Sequence, residues 1–280
     1  MCHDEDLPRE DLLSDVKETD IHPTAIVSPR AELDLGVKVG PFSIISEDVR
    51  IGRGTVIGPH VQVDRWTELG EDNQVFFGCT LGNPSKDRKY GGWRSWVRIG
   101  NRNILRENVS LSRATAEEGA TVLGHDNLLM NLVTIAHDSE VGNRTIMANL
   151  ATLGGHVIVE DDARLGAQSA FHPFVRVGKM AMCGGCSKFV KDIPPFTVAD
   201  GHPGRVRGLN VVGIRTSKVN PMSSLSPETV KRLKSAYHVL FRSKLPHNEA
   251  IAKVRSEVEP DDEVEHLLKF IETSQRGIGV

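Results

Sequence analysis

The sequence places an aliphatic residue at every sixth position, and this period constrains the fold more than any other feature. The first eleven positions of the series are Ile21, Val27, Leu33, Val39, Ile45, Ile51, Ile57, Val63, Leu69, Val75 and Leu81. Because 39% of the chain is apolar, eleven apolar residues in a row at a fixed period have a chance probability of roughly 3 in 100,000. The series returns at 99–111 and runs again over 123–189, which gives 26 apolar positions.

A period of six is too long for simple strand alternation and does not match the turn of a helix. It is typical of a hexapeptide-repeat β-helix, in which each hexad forms one short strand and one turn, and three hexads close a coil of 18 residues. The position four residues after each aliphatic one is mostly small or β-branched, as at Ala25, Ala31 and Val37. We therefore expect a mainly β protein of between eight and nine coils around one continuous core.

Two stretches break the series. Residues 83–98 read NPSKDRKYGGWRSWVR, and residues 114–121 read ATAEEGAT. Both are rich in charged, small or glycine residues, so we expect them to form loops that leave the coils. Long loops on a rigid scaffold are common places for functional residues.

After residue 190 the series fades into a segment rich in proline and glycine. Ser226 and Pro227 then read as the N-cap and first residue of a helix, because their chemistry suits those positions. Further helices are expected over about 247–257 and 261–275. The predicted organisation is an acidic, solvated tail over 1–20, a β-helix over 21–205, and a linker with a helical domain over 206–280.

Charge and composition exclude several classes of protein. The net charge of −3 argues against nucleic acid as the main partner, and no apolar run has the length of a membrane span. The N-terminus lacks the apolar core of a signal peptide. The cysteines form no disulfide framework, so we expect a cytoplasmic protein. Cys183 and Cys186 have C-x-x-C spacing, but Cys183 lies on the inward series and packing explains it better than redox or zinc chemistry.

Three histidines fall on one face when the 18-residue coil is used as a ruler. His137, His156 and His172 follow Ile135, Leu153 and Phe171, which begin hexads one coil apart. Such a group suits general-base catalysis, with the adjacent carboxylate of Asp138 holding the ring, or a zinc site of three imidazoles. A third possibility is that they are ordinary polar residues on an outer surface.

At this point the residues resemble a known family. The stretch DNLLMNLVTIAHDSEVGNRTIMANLATLGGHVIVED (126–161), FHPFVRVGKMAMCGGCS (171–187), DRKY (87–90), DIPPFTVADG (192–201) and GLNVVG (208–213) are similar to the UDP-N-acetylglucosamine O-acyltransferases of lipid A biosynthesis. The resemblance covers about residues 21–280. It implies a left-handed β-helix, a homotrimer with active sites between subunits, a UDP-sugar acceptor and acyl carrier protein as the donor, without a cofactor or a metal.

The resemblance also implies roles for individual residues. His137 would be the general base, Asp138 its partner, and the backbone N–H of Gly155 a donor to the oxyanion. The remaining candidates are substrate contacts and the acyl groove: Asp87, Lys89, Thr134, His156, His172, Asn210 and Arg215 for substrate, and Met182 and Gly185 for the acyl chain. The sequence departs from the family at Thr134, Ser112, Lys86, Pro173, Val212 and Thr216.

The function expected from these residues is transfer of a 3-hydroxyacyl chain from acyl carrier protein to the 3-position of UDP-N-acetylglucosamine. The cationic residues Arg205, Arg207, Arg215 and Lys218 are candidates for contact with the acidic carrier. The departures from the family pattern leave open a sugar with an amine at that carbon. A zinc lyase resembling γ-class carbonic anhydrases and a non-enzymatic surface-binding β-helix are two further readings of the chain, although the regular threonine ladders that surface binding would need are absent.

Overall fold

The structure is a computed structural model that describes residues 18–215 and 224–280. The greater part of the predicted tail, with Cys2, lies outside the described residues. Thr216 and Lys218 lie outside them as well, so the structure does not bear on their expected roles.

Twenty-six short parallel strands wind into a triangular prism with three sheets, and the strands are numbered in chain order. Sheet A contains β1 Asp20–Ile21, β4 Lys38–Val39, β7 Val56–Ile57, β10 Gln74–Val75, β13 Ile104–Leu105, β16 Leu128–Leu129, β19 Ile146–Met147, β22 Arg164–Leu165 and β25 Met182–Cys183. Sheet B contains β2 Ile26–Val27, β5 Ile44–Ile45, β8 Gln62–Val63, β11 Thr80–Asn83, β14 Ser110–Ser112, β17 Thr134–Ile135, β20 Thr152–Leu153, β23 Ala170–Phe171 and β26 Lys188–Phe189. Sheet C contains β3 Glu32–Leu33, β6 Arg50–Ile51, β9 Thr67–Leu69, β12 Trp96–Ile99, β15 Ala120–Leu123, β18 Glu140–Val141, β21 Ile158–Val159 and β24 Arg176–Val177.

The strand register confirms the predicted coil. Val39 pairs with Ile57 and Ile135 with Leu153, each 18 residues apart. Nine, nine and eight strands in the three sheets amount to between eight and nine turns of a left-handed β-helix, as expected. Each coil adds one strand to each sheet, so the interior becomes a continuous column that no single coil could form.

The interior follows the hexad pattern. The aliphatic series is almost fully buried from Val39 onward, while the preceding strand residue points outward. The positions four residues after each aliphatic one are also buried: Val37, Ser43 and Val49 are 0% exposed. Large and small side chains therefore alternate around each coil and fill the triangular cross-section, which explains why both positions keep their residue types.

A polar ladder runs inside the corner between sheets C and A. Asn103 donates its side-chain amide to Asn73 Oδ1 at 3.0 Å, and Asn127 donates to Asn103 Oδ1 at 2.9 Å. Thr145 continues the ladder with a 2.8 Å hydrogen bond to Asn127. All four side chains are buried, so each needs these partners to offset the loss of water.

The two interruptions are real insertions but are shorter than predicted. Leu69 pairs with Ile99 at a separation of 30 residues, and Ile99 pairs with Leu123 at 24, instead of 18. Asn83 belongs to β11, Trp96–Arg98 belong to β12, and Ala120 begins β15, so the predicted bounds 83–98 and 114–121 were too wide. The buried side chain of Val97 keeps that part in the sheet. The segments 84–95 and 113–119 are called the first and second loop below.

Both loops leave the prism at the same edge, between sheet B and sheet C. The first connects β11 to β12, and the second connects β14 to β15 in the next coil. The following turn, between β17 and β18, has no insertion and contains His137. This edge is called the B–C corner, and the edge between sheets A and B the A–B corner.

The chain leaves the prism through a hairpin, β27 Thr197–Gly201 and β28 Gly204–Leu209, that the sequence did not predict. Four helices follow: α1 Val211–Arg215, α2 Pro227–Arg242, α3 His247–Glu257 and α4 Asp262–Glu272. The predicted cap is confirmed, since the Ser226 side chain accepts the Thr229 N–H at 3.0 Å. The helix predicted over 261–275 ends earlier, at Glu272.

The helices pack on the last coils as a second apolar core that includes Met180, Phe196 and Phe270. Glu160 joins the two parts by accepting a hydrogen bond from His266 at 2.7 Å. Cys183 is buried in the prism, as expected for a packed residue, whereas Cys186 is exposed. Over the described ranges, no helix has both the length and the apolar character needed to cross a bilayer.

Candidate active site

His137 lies at the B–C corner, one coil below the second loop. The hydrophobic residues that precede the three predicted histidines stack in sheet B as expected, since Ile135 pairs with Leu153 and Leu153 with Phe171. The two loops stand on the same edge immediately above. The inward packing of the hexads thus presents the turn after β17 beneath inserted residues, which makes a sheltered concave site from an otherwise regular surface.

The His137 ring is held on one nitrogen by two partners. Nδ1 lies 2.8 Å from Asp138 Oδ2 and 3.0 Å from Thr115 Oγ1. The side chains of His137 and Asp138 are 15% and 11% exposed, so the pair is largely withdrawn from solvent. The opposite ring nitrogen, Nε2, remains directed away from these partners.

Asp138 is a carboxylate fixed by several donors. Burial alone would raise its pKa, but hydrogen bonds from His137 and from the backbone and side chain of Thr115 outweigh burial and hold the pKa below its usual value. The Thr115 N–H lies 2.9 and 3.1 Å from the two carboxylate oxygens. Asp138 is therefore ionised at neutral pH and accepts hydrogen bonds only.

His156 joins this pair, whereas His172 does not. The His156 ring meets the His137 ring edge to face at 5.5 Å, stacks on Phe174 at 4.5 Å, and has Nε2 3.6 Å from Asp138 Oδ2. His172 is exposed and its Nδ1 faces the Pro173 carbonyl at 3.2 Å. Within the described chain no ring contact links it to the other two, so the predicted group of three is a pair with a third histidine on the same sheet.

Gly155 lies directly under the His137 imidazole. A Cβ at this position would stand 2.4 Å from Cε1 and 2.7 Å from Nε2 of His137. At the corner between sheets C and A, the equivalent N–H groups of Asn101, His125 and Asn143 are each accepted by a side chain of the next coil. At Gly155 the next coil offers Pro173, which has no acceptor in its ring. In the described ranges nothing accepts the Gly155 N–H.

The first loop is fastened to the same group. Ser85 Oγ lies 2.7 Å from Thr115 Oγ1 and accepts the Asp87 N–H at 3.2 Å. Asp87 in turn accepts the Lys89 N–H at 2.9 Å. The predicted sugar-nucleotide residues therefore stand on the side of the prism that carries His137, connected to it through hydrogen bonds.

The other predicted residues lie elsewhere. Met182 belongs to β25 in sheet A and Gly185 to the A–B corner, a different edge from that of His137. Thr134 is on β17, paired with Ser110 and Thr152. Asn210 uses its side chain within the fold, donating to the Met180 carbonyl and accepting the Gly213 N–H. Arg215 is exposed at the end of α1.

Sequence reasoning missed Thr115, Ser85 and Trp93. Thr115 contacts both His137 and Asp138, and its carbonyl accepts the Trp93 Nε1–H at 2.7 Å. All three lie in the inserted segments, where the six-residue series gives no position to a side chain. The only sequence signal was the pair of interruptions themselves.

One group among the described residues could hold a metal ion. His137, Asp138 and His156 offer ligand atoms that lie within 4.8 Å of one another. This set has two imidazoles and a carboxylate, not the three imidazoles considered from the sequence. Because Nδ1 of His137 is hydrogen-bonded to Asp138, a metal ion there would compete with the contact that orients the ring.

Comparison with known proteins identifies the family. Residues 192–279 match the second domain of the family described as Udp N-acetylglucosamine O-acyltransferase, and residues 36–65 match the bacterial transferase hexapeptide repeats. The acyl-(acyl-carrier-protein)–UDP-N-acetylglucosamine O-acyltransferase of Thermodesulfovibrio yellowstonii is 48% identical over 260 residues, covering 92% of this chain and 98% of its own. The enzyme of the same name from Myxococcus xanthus is 44% identical over 259 residues, with the same coverage of both chains.

Solved structures agree with this assignment. LpxA from Acinetobacter baumannii superposes with a TM-score of 0.87 at 37% identity, covering 93% of this chain and 99% of its own. The relatives are matched over nearly their whole length, so the resemblance extends through the prism, both loops and the helices. The chain belongs to the UDP-N-acetylglucosamine O-acyltransferase family.

Proposed function

We propose that this protein transfers a 3-hydroxyacyl chain from acyl carrier protein to the 3-hydroxyl of UDP-N-acetylglucosamine, the first step of lipid A biosynthesis. The observation that carries the proposal is His137, bonded through Nδ1 to the ionised Asp138 and lying over Gly155. This arrangement leaves Nε2 as the free basic nitrogen beneath the loop that carries Asp87 and Lys89. The names of relatives with 40–48% identity agree with this activity.

The proposed reaction is a direct transfer. Nε2 of His137 takes the proton from the sugar hydroxyl as its oxygen bonds to the thioester carbonyl carbon. The resulting imidazolium is stabilised by the Asp138 carboxylate on its other side. When the tetrahedral intermediate collapses, the carbon–sulfur bond breaks and the thiolate takes the proton from Nε2. The products are the acylated UDP-sugar and the free carrier thiol, and the enzyme returns to its starting protonation.

The Gly155 N–H is suited to the charge that develops on the thioester oxygen. It is a backbone donor beside the base, and no acceptor of the described chain uses it. A preorganised donor of this kind stabilises an oxyanion at little reorganisation cost and is worth about 10²–10³ in rate where it has been removed.

An acyl-enzyme route through cysteine is poorly supported by the geometry. Burial raises the pKa of the Cys79 thiol to about 11 and raises that of Cys183 further, so neither forms a thiolate readily. Cys186 is exposed but lies on the A–B corner, away from His137 within one chain. The sugar hydroxyl is therefore the nucleophile in our proposal.

The substrate contacts divide by position. Asp87, Lys89 and His156 stand near the base and are proposed to bind the sugar nucleotide, with His172 and Thr134 on the same sheet. Asn210 and Arg215 are proposed for the nucleotide end. The side chain of Asn210 is already hydrogen-bonded inside the chain, so its contribution would be to place the backbone that follows it.

We propose that the active unit is a homotrimer. Met182 and Gly185, proposed for the acyl groove, lie on the A–B side, so they reach His137 only if a second subunit brings them there. The A–B corner also exposes apolar side chains in several coils: Phe42 57%, Phe77 48%, Leu132 48% and Leu150 42%. Contact between the corners of neighbouring chains would cover these groups. Light scattering coupled to gel filtration should give three times the chain mass.

The carrier protein is proposed to contact the helical end of the prism. Of the cations suggested by the sequence, Arg207 pairs with Asp200 and Arg205 donates to the Val280 carbonyl. Arg215 is exposed and stands out as the described cation best placed to receive the carrier. We expect the protein in the cytoplasm, in keeping with the free Cys79, Cys183 and Cys186.

The activity assay uses purified protein, acyl carrier thioesters of several chain lengths, and UDP-N-acetylglucosamine or its 3-amino analogue, with products read by mass spectrometry. His137→Ala should lose nearly all turnover while light scattering still shows the assembled protein. His238→Ala, which removes an exposed histidine of α2, is the matched control and should retain activity. Near-normal turnover by His137→Ala would reject the role of His137, and preference for the amine would change the acceptor.

A further inference from the structure

We propose that Thr115 is a positioning residue that keeps His137 in the tautomer with Nδ1 protonated and couples this tautomer to the first loop. The inference rests on the proposed function, since it concerns the base of that reaction. Thr115 lies on the second loop, and its backbone N–H, hydroxyl and carbonyl each make a contact across the site. These contacts reach Asp138, His137 and Trp93, so one residue joins the carboxylate, the base and the first loop.

The hydrogen positions follow from the chemistry of the partners. Asp138 is ionised and has no hydrogen to donate, and its Oδ2 stands 2.8 Å from Nδ1 of His137. Nδ1 must therefore carry the proton, because two lone pairs at that distance would repel. Thr115 Oγ1, 3.0 Å from the same nitrogen, can then only accept from it.

The next link is fixed by the first. Since Thr115 Oγ1 accepts from Nδ1, its own hydrogen is free to be donated to Ser85 Oγ at 2.7 Å. Ser85 also accepts the Asp87 N–H at 3.2 Å. The direction of donation runs from His137 through Thr115 to Ser85, and the sugar-nucleotide loop receives it. This direction requires Nε2 to be the unprotonated nitrogen, which is the form that a general base needs.

The loop is held to Thr115 at a second place. The Trp93 Nε1–H donates to the Thr115 carbonyl at 2.7 Å, and Tyr90 braces Trp93 by donating its hydroxyl to the Trp93 carbonyl at 2.8 Å. The two ends of the first loop therefore converge on one residue of the second. A displacement of this loop by a bound sugar nucleotide would be felt at Nδ1 of His137 through a single side chain.

The test compares two substitutions of nearly equal size. Thr115→Val removes the hydroxyl but keeps the shape and both backbone groups, whereas Thr115→Ser keeps the hydroxyl. Thr145→Val is the matched control, because it removes a buried threonine hydroxyl bonded to Asn127 far along the prism. Kinetics use the same mass-spectrometric assay of acyl transfer, and the histidine ring nitrogens are followed by ¹⁵N NMR, which does not depend on turnover.

We expect Thr115→Val to lower kcat about 10–100-fold while KM for the sugar nucleotide changes by less than about threefold. The acidic limb of its kcat/KM profile should move to lower pH, since the imidazolium loses an acceptor for its Nδ1 proton. The ¹⁵N spectrum of His137 should show a mixture of tautomers instead of one. Thr115→Ser should restore all three readouts, and Thr145→Val should affect stability without moving the acidic limb.

The inference is overturned if Thr115→Val keeps the kcat, the acidic limb and the single tautomer of the unmodified protein, or if Thr115→Ser is as impaired as Thr115→Val. Failure of the proposed function looks different: the unmodified protein would turn over none of the sugars, and the ¹⁵N spectrum alone would then decide the role of Thr115. A loss of kcat with an unmoved acidic limb and one tautomer would assign Thr115 a merely structural role and reject the proposal.

Discussion

The imidazole of His137 rests on the bare Cα of Gly155, with room for a hydrogen atom but not for a methyl group: a Cβ there would stand 2.4 Å from Cε1. The close approach arises because the two residues occupy the same corner in successive coils. The backbone of Gly155 does not require a positive φ, so the absence of a side chain answers to the ring and not to the chain conformation.

Gly155→Ala should therefore fold normally and lose activity. The added methyl group would push the imidazole off its position by a large fraction of an ångström, and misplacement on this scale costs on the order of 100-fold in kcat. Steady-state kinetics measure the loss, and thermal unfolding checks the fold. Gly208→Ala is the control, because a Cβ there meets nothing within 4 Å. Equal activity of the two variants would show that the contact with Gly155 does not set the position of His137.

Asp138→Asn should remove both turnover and a pH-dependent part of the stability. The Thr115 N–H faces both carboxylate oxygens, so the NH₂ of an amide would confront a donor. We expect kcat to fall by about 10²–10⁴-fold, as when a partner no longer selects the correct tautomer. The free energy of unfolding at neutral pH should fall by about 1–3 kcal/mol, the range for a hydrogen bond to a charged group.

The pH dependence of that loss has a definite sign. The pKa of Asp138 is lower in the folded protein than in the unfolded chain, so its contribution to stability is complete above the unfolded pKa of about 4. It disappears as the pH falls through the lower folded pKa. Denaturant unfolding between pH 7 and pH 3 should show the difference between Asp138→Asn and the unmodified protein shrinking in acid. A difference that grows in acid would contradict the assignment.

The prism could be predicted because its physics is periodic. Ile135, Leu153 and Phe171 must all point inward, and a slip of one residue would expose every one of them, so the hexad series determines the register of the coils. The same argument placed His137 and His156 in contact. The two insertions were visible as gaps in the series, although the gaps do not mark where a strand such as Trp96–Ile99 resumes.

The parts of the site that escaped prediction come from non-periodic contacts. Thr115 and Ser85 are 30 residues apart on separate loops and meet only because both loops leave the same corner. His172 has the expected place on sheet B, but the Pro173 that follows gives its ring a backbone partner in its own turn. Contacts between chains, on which the roles of Met182 and Gly185 depend, leave no pattern within one chain.

Asn103 should be the most sensitive residue of the buried polar ladder. Its side chain donates to Asn73 and to the Gly124 carbonyl and accepts from Asn127, so Asn103→Ala leaves several buried groups without partners. We expect a loss of about 2–4 kcal/mol in the free energy of unfolding, measured by denaturant titration. Asn149→Ala, at an exposed turn, should change stability by less than about 0.5 kcal/mol. A similar effect of both substitutions would mean that the ladder adds nothing specific.

Removal of metal ions should leave the proposed transfer intact. The free Nε2 of His137 supplies the base, and the Gly155 N–H supplies the donor to the oxyanion, so no step needs a Lewis acid. Dialysis against a chelator should therefore leave kcat unchanged. Added Zn²⁺ should inhibit, because it would engage the ligand atoms of His137, Asp138 and His156, and His156→Ala should weaken that inhibition. Turnover that is lost on chelation and restored by zinc would contradict direct base catalysis and favour the zinc lyase considered from the sequence.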